Sequence, residues 1–181
     1  PVKTAMKHWI IAAAIACTAP AVSAQEIASA TANSAEALFH EGENAYRNGG
    51  YAKSIGLYTQ TLAIDPDHLN AFLQRGFCHS LQREYDLAVV DFTSVIQRKP
   101  DHLWAYTNRG SAYGKLGKNN LAMADFDKVL QLDPKNEEAY NNRGWIKKAE
   151  GDTKGACKDW NTSKKMGNAE AKIILKNNNC R

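Results

Sequence analysis

Gly42, Gly76, Gly110 and Gly144 stand 34 residues apart. Three other residue classes keep the same step: Ala37, Ala71, Ala105 and Ala139; Tyr58, Phe92, Phe126 and Trp160; and Pro66, Pro100 and Pro134. A fixed period of this length describes a stack of like units, each too small to bury its own apolar face, and points to helix–turn–helix repeats. Each class has a physical task. The glycine falls inside a helix, where it costs about 1 kcal/mol against alanine, a cost that makes sense where a neighbouring helix approaches closely. The ring lies on the second helix, four residues after a small one (Ala88 before Phe92, Ala122 before Phe126, Ala156 before Trp160). That spacing puts both on one helical face. Proline ends the second helix in Ile64-Asp65-Pro66 and Leu132-Asp133-Pro134, because it lacks the N–H the helix needs. Asn48-Gly49-Gly50 and Leu116-Gly117 mark turns inside the units.

With these features the chain resembles the tetratricopeptide repeat. The frames are residues 35–68, 69–102, 103–136 and 137–170. The resemblance implies an all-α, right-handed helical solenoid of four units. Two family positions are altered. The first-helix residue that is often tryptophan is Leu38, Phe72, Tyr106 and Tyr140, and the leucine before the glycine is Glu41, Arg75, Arg109 and Arg143. The fourth frame also carries Gly167-Asn168 in place of the terminal proline, which suggests that the stack is ending.

The arginines take an inward-facing position and need partners. Asp91, Asp125 and Asp159 each lie 16 residues after the arginine of their own frame. In the first frame both members change together, to Glu41 and Leu57. This co-occurrence predicts the ion pairs Arg75–Asp91, Arg109–Asp125 and Arg143–Asp159 within repeats, with bidentate geometry suited to a half-buried site. It also argues against an anion-binding arginine ladder.

Beyond the fourth frame, residues 171–181 are expected to form a capping helix and tail, with Ala169, Ile173 and Ile174 as its apolar positions and Leu175 beside them. An uncapped stack would expose its core. The midpoint of Cys157 and Cys180 falls at the Gly167-Asn168 turn, so antiparallel helices bring them to similar height, and a disulfide clamping the cap is expected in an oxidising compartment. Cys78, two residues after Gly76, reads as a buried thiol.

The amino-terminal segment points to such a compartment. Trp9–Ala19 is an apolar run preceded by Lys7 and followed by Pro20 and Val22-Ser23-Ala24, the pattern of a secretory signal peptide. Residues 1–24 are therefore read as the signal and residues 25–34 as a flexible leader, giving a periplasmic or secreted protein. The alternative is a lipoprotein anchored through Cys17, since Ala14-Ile15-Ala16-Cys17 loosely resembles a lipobox. Residues 25–136 carry 11 basic and 13 acidic groups, residues 137–181 carry 10 and 6. The basic quarter is interrupted by Glu150, Asp152, Asp159 and Glu170, so no nucleic-acid partner is expected; contact with a membrane surface is the alternative use of that charge.

No nucleophile elbow, phosphate-cradling loop, dinucleotide fingerprint or zinc-ligand spacing occurs in the sequence, so no catalytic site, cofactor or metal is expected. His68 and His102, both in Asp-His-Leu, read as helix starts. The resemblance implies a binding surface on the concave face, lined by the first helix of each repeat. Carried over, its apolar candidates are Phe39, Leu73, Phe77, Trp104 and Trp145. Its polar candidates are Asn108, Ser111 and Asn142. No lysine is among them, so a carboxylate clamp is not expected. The expected function is a scaffold that holds a peptide or protein segment; the alternative is a structural component of an envelope complex.

Overall fold

The computed structural model describes residues 23–180; most of the expected signal, including Cys17, lies outside them. Among the described residues all regular structure is helical: α1 (Ala24–Arg47), α2 (Tyr51–Ile64), α3 (Leu69–Leu81), α4 (Tyr85–Arg98), α5 (Leu103–Lys115), α6 (Asn119–Leu132), α7 (Glu137–Ala149), α8 (Thr153–Lys165) and α9 (Ala171–Asn177). Each helix packs on the next in sequence; α3 also meets α5, and α5 meets α7. The odd-numbered helices therefore form the inner layer of a helical solenoid, and their exposed sides line its concave face.

Repeating local signals set the boundaries. His68, His102 and Asn136 are equivalent N-caps, their side chains accepting from the backbone N–H of Ala71, Ala105 and Ala139. This satisfies donors that a helix start leaves orphaned. Burial pushes the His102 imidazole below its usual range, and Lys99 adds in the same sense, which keeps Nδ1 free to accept. The turns inside the units place one residue in the left-handed region, at Gly49, Arg83, Gly117 and Gly151. Glycine takes that conformation without a steric penalty; Arg83, with φ of 64°, does not.

The mid-helix glycines make room for the rings of their own repeats. A Cβ on Gly110 would stand 3.0 Å from Phe126, and one on Gly144 would stand 2.5 Å from Trp160. Each ring is then closed over by the next unit. Tyr58 packs with Ala71 and Cys78, Phe92 with Ala112, Phe126 with Ile146, and Trp160 with Leu175 of the cap. Burial pushes the Cys78 thiol up to about 11, so it stays protonated at neutral pH. The core is thus a row of inter-repeat contacts, and no unit is complete alone.

The arginines join more than two helices. Arg75 Nε and Nη2 donate to Asp91 at 2.9 and 2.7 Å, and Nη1 donates to Thr59 of the preceding repeat at 3.0 Å. Arg109 makes the same contacts with Asp125 and with Thr93. Arg143 does so with Asp159 and with Asp127. Expected as contacts within repeats, these are also bridges between repeats, because the guanidinium has a third edge to offer. Thr59, Thr93 and Asp127 share the repeat step. The hydrogen bond to Asp159 foremost, against a smaller opposing effect of burial, holds Arg143 well above the usual guanidinium range. Where the first repeat has Glu41, Lys53 pairs with it instead, at 2.9 Å.

Two expectations about the ends change, and the disulfide is found where it was expected. Residues 25–34, read from the sequence as a flexible leader, are helical and continuous with the first repeat helix. The alanines of that segment favour helix, and in the uncleaved chain Ser23 and Glu26 form a capping box, which removal of residues 1–24 would take away. In the cap, Ala171 and Leu175 are buried, whereas Ala169 is exposed and Ile173 is 62% exposed. The helix begins at Ala171, and Ile173 lies two residues from both buried positions, which places it on the opposite side. Cys157 and Cys180 are joined by a disulfide with their Cα atoms 5.5 Å apart, and this ties the end of α9 to α8.

Two measurements test this account. Replacing Arg109 by Met or Asp125 by Leu singly is expected to cost on the order of 3 kcal/mol by stranding the other charge. The double replacement is expected to cost clearly less than the sum, and additive losses in urea unfolding would refute the coupling. Arg83→Gly is expected to raise stability by up to about 1 kcal/mol by relieving the left-handed arginine, read as a higher unfolding midpoint.

Candidate functional site

Three adjoining cavities run along the concave face. The first, of about 170 Å³, is lined by Phe77, Leu103, Trp104, Thr107, Asn108, Asn136 and Glu138. A second, of about 300 Å³, shares Phe77 and Asn108 with the first and adds Ser80, Leu81, Tyr85, Ser111, Ala112 and Lys115. The third, of about 280 Å³, shares Ser111 and Lys115 with the second and reaches Asn142, Trp145 and Ile146. The shared residues make them one groove crossing α3, α5 and α7.

Helical spacing explains how the groove is built. Trp104, Asn108, Ser111 and Lys115 follow one another along α5 at intervals of four, three and four residues, so they share one face. The Asn108 amide N–H donates to the Trp104 carbonyl at 2.7 Å, leaving its own oxygen for a ligand. Trp104 is 66% exposed, and Phe77 meets its ring edge-on at 6.2 Å. Trp145 is also exposed; its ring packs edge-on against buried Trp160 at 4.9 Å and carries the Lys148 ammonium at 5.4 Å. Asn142 has no side-chain partner among the described residues. The groove therefore offers aromatic faces, amides, one lysine and one glutamate, a set suited to gripping an extended segment.

Six of the eight groove residues named from sequence line these cavities: Phe77, Trp104, Asn108, Ser111, Asn142 and Trp145. Leu73 is half-buried and packs beneath, against the core around Phe92. Phe39 is not a groove residue at all. It is buried against Tyr58 and His68, with ring separations of 5.6 and 4.7 Å. Its repeat equivalents Leu73, half-buried, and Thr107, buried, turn the same way, so this helix position faces inward. The sequence reading missed Lys115, because it ended the α5 face at Ser111, one turn too early. Continuing the same spacing by four residues reaches it. Among the described residues no group of three or more His, Cys, Asp and Glu is placed to hold a metal ion, and no helix is long and apolar enough to cross a membrane.

The tetratricopeptide repeat family model matches residues 103–136. No curated protein matches the chain. Among solved structures, residues 41 to the end of MamA from Desulfovibrio magneticus RS-1 superpose with a TM-score of 0.72 at 22% identity, covering 78% of this chain and 80% of that one. The first tetratricopeptide unit of Spaghetti (RPAP3), bound to HSP90 peptide SRMEEVD, gives 0.63 at 27% identity over 66% of this chain and 95% of that one. The second such domain of human RPAP3, in complex with HSP70 peptide SGPTIEEVD, gives 0.60 at 29% identity over 66% and 98%. With the repeat frames and the inter-repeat packing, these likenesses lead to one conclusion: the chain is a tetratricopeptide repeat protein.

Proposed function

We propose that this chain is an exported, non-catalytic scaffold that holds an extended peptide or protein segment in its concave groove. The observation that carries the reading is Trp104. On a scaffold that buries Tyr58, Phe92, Phe126 and Trp160, this large ring stands exposed at a cavity mouth, where aromatic anchors carry most of an interface's energy. Two similar solved domains hold peptides, which supports a peptide-sized occupant here. Lys115 gives an acidic ligand side chain one cationic partner among the cavity-lining residues, short of a clamp. The export signal read over residues 1–24 supports a periplasmic or secreted location.

A second reading, a component of an envelope complex touching a membrane surface, rests on α9. Its outer face carries Lys172, Ile173 and Lys176, all exposed, a cationic surface with an apolar residue at its centre.

Trp104→Ala is expected to weaken crosslinked capture of the partner from intact cells about tenfold or more while changing stability by less than about 0.5 kcal/mol. Undiminished capture by this variant would refute the groove. For the second reading, sedimentation with phosphatidylglycerol vesicles but not with phosphatidylcholine vesicles is expected. Lys172→Gln with Lys176→Gln is expected to remove about 1 kcal/mol of binding per lysine.

A further inference from the structure

The cavity beneath Trp104 has a chemical bias that the rest of the groove lacks. Its polar lining is Thr107, Asn108, Asn136 and Glu138. Two of these are already committed. Thr107 Oγ1 donates to the Leu103 carbonyl at 3.1 Å. Asn136 caps α7 through its oxygen at 2.9 Å and turns its amide N–H toward Asp133 at 3.3 Å. One Asn108 N–H is held by the Trp104 carbonyl. The one charged group left without a partner is the Glu138 carboxylate, and the Asn108 oxygen stands beside it as a second free acceptor.

Glu138 differs from the other carboxylate at its repeat position. In the first repeat the same position is Glu36, which meets His40 at 3.1 Å and His68 at 3.2 Å. Among the described residues the Glu138 side chain has no hydrogen-bond or ion-pair partner. An unpaired carboxylate, an exposed indole face and an amide oxygen thus surround a space of about 170 Å³, room for one long side chain. Aromatic faces attract cations, and a carboxylate with a free oxygen acceptor pairs with a donor-rich head group. We infer that this cavity is a subsite for a lysine or arginine side chain of the bound segment, with the cation between Trp104 and Glu138. The subsite rests on the groove reading above. It also gives the groove a direction: the basic residue enters here, and an acidic residue farther along the segment reaches Lys115, which lines the next two cavities. A segment with an acidic residue at this place would meet the Glu138 carboxylate instead.

A random hexapeptide library selected on the full chain tests the subsite, with parallel selections on Glu138→Lys and Trp104→Ala. Both residues are exposed, and thermal melting checks that the variants fold. The expected result is enrichment of lysine or arginine at one position on the native chain, and its loss or replacement by an acidic residue on Glu138→Lys. A peptide so selected is expected to bind Glu138→Gln about three- to tenfold more weakly. Enriched peptides that depend on Trp104 but carry no basic position would overturn the subsite and leave the groove standing. No enrichment, or enrichment indifferent to Trp104→Ala, would overturn both.

Discussion

Each arginine before a repeat glycine holds three successive helices by one side chain. Arg109 sits on α5, grips Asp125 on α6 with two parallel hydrogen bonds, and reaches back to Thr93 on α4. The planar fork fits a carboxylate on one edge while leaving another donor free, and lysine lacks that geometry. The Asp125 carboxylate is nearly inaccessible to solvent, so the contact is little screened and its loss strands a charge. Repetition in α3 and α7 sets the position of each repeat relative to the one before it. The groove lies across these same helices, so its width depends on the arginine contacts.

Two departures from the family pattern prove to be connected. The ring three residues before each arginine lies within cation–π range of it: Phe72 at 5.8 Å, Tyr106 at 5.6 Å and Tyr140 at 5.4 Å. Three residues along a helix is close to one turn, so the guanidinium has a ring at hand while its nitrogens reach the neighbouring helices. Where a leucine would bury its methyls, this chain places a cation whose charge, hydrogen bonds and flat surface are all matched. In the first repeat both the arginine and its aspartate are absent, replaced together by Glu41 and Leu57.

The two ends of the stack solve one problem differently. A repeat ring is finished only by the unit that follows it, so the last ring, Trp160, needs a substitute for a fifth repeat. Helix α9 supplies Ala171 and Leu175 for that purpose, and the Cys157–Cys180 disulfide keeps the short helix in place. At the other end α1 begins well before its repeat frame, and the equivalent of buried Ala71, Ala105 and Ala139 is the exposed Ala37. Position in the array, as well as residue type, decides burial.

Period, helix type, turn positions, the arginine–aspartate partners and the cysteine pair were legible in the sequence because each rests on local chemistry or on a step that recurs. Six groove residues were legible for the same reason, since a helix face follows from its spacing. What the sequence did not disclose depends on contacts between units. The third contact of each arginine needs the neighbouring repeat in place. Phe39 turns inward against Tyr58 and against His68 of the next repeat, and Ile173 turns outward because Ala171 and Leu175 form the buried side of α9. The free carboxylate of Glu138 beside Trp104 belongs to the same class, since residues 34 apart in sequence share a cavity only after the repeats have stacked. Local patterns determined what the units are; packing between units decided which side chains were left for a partner.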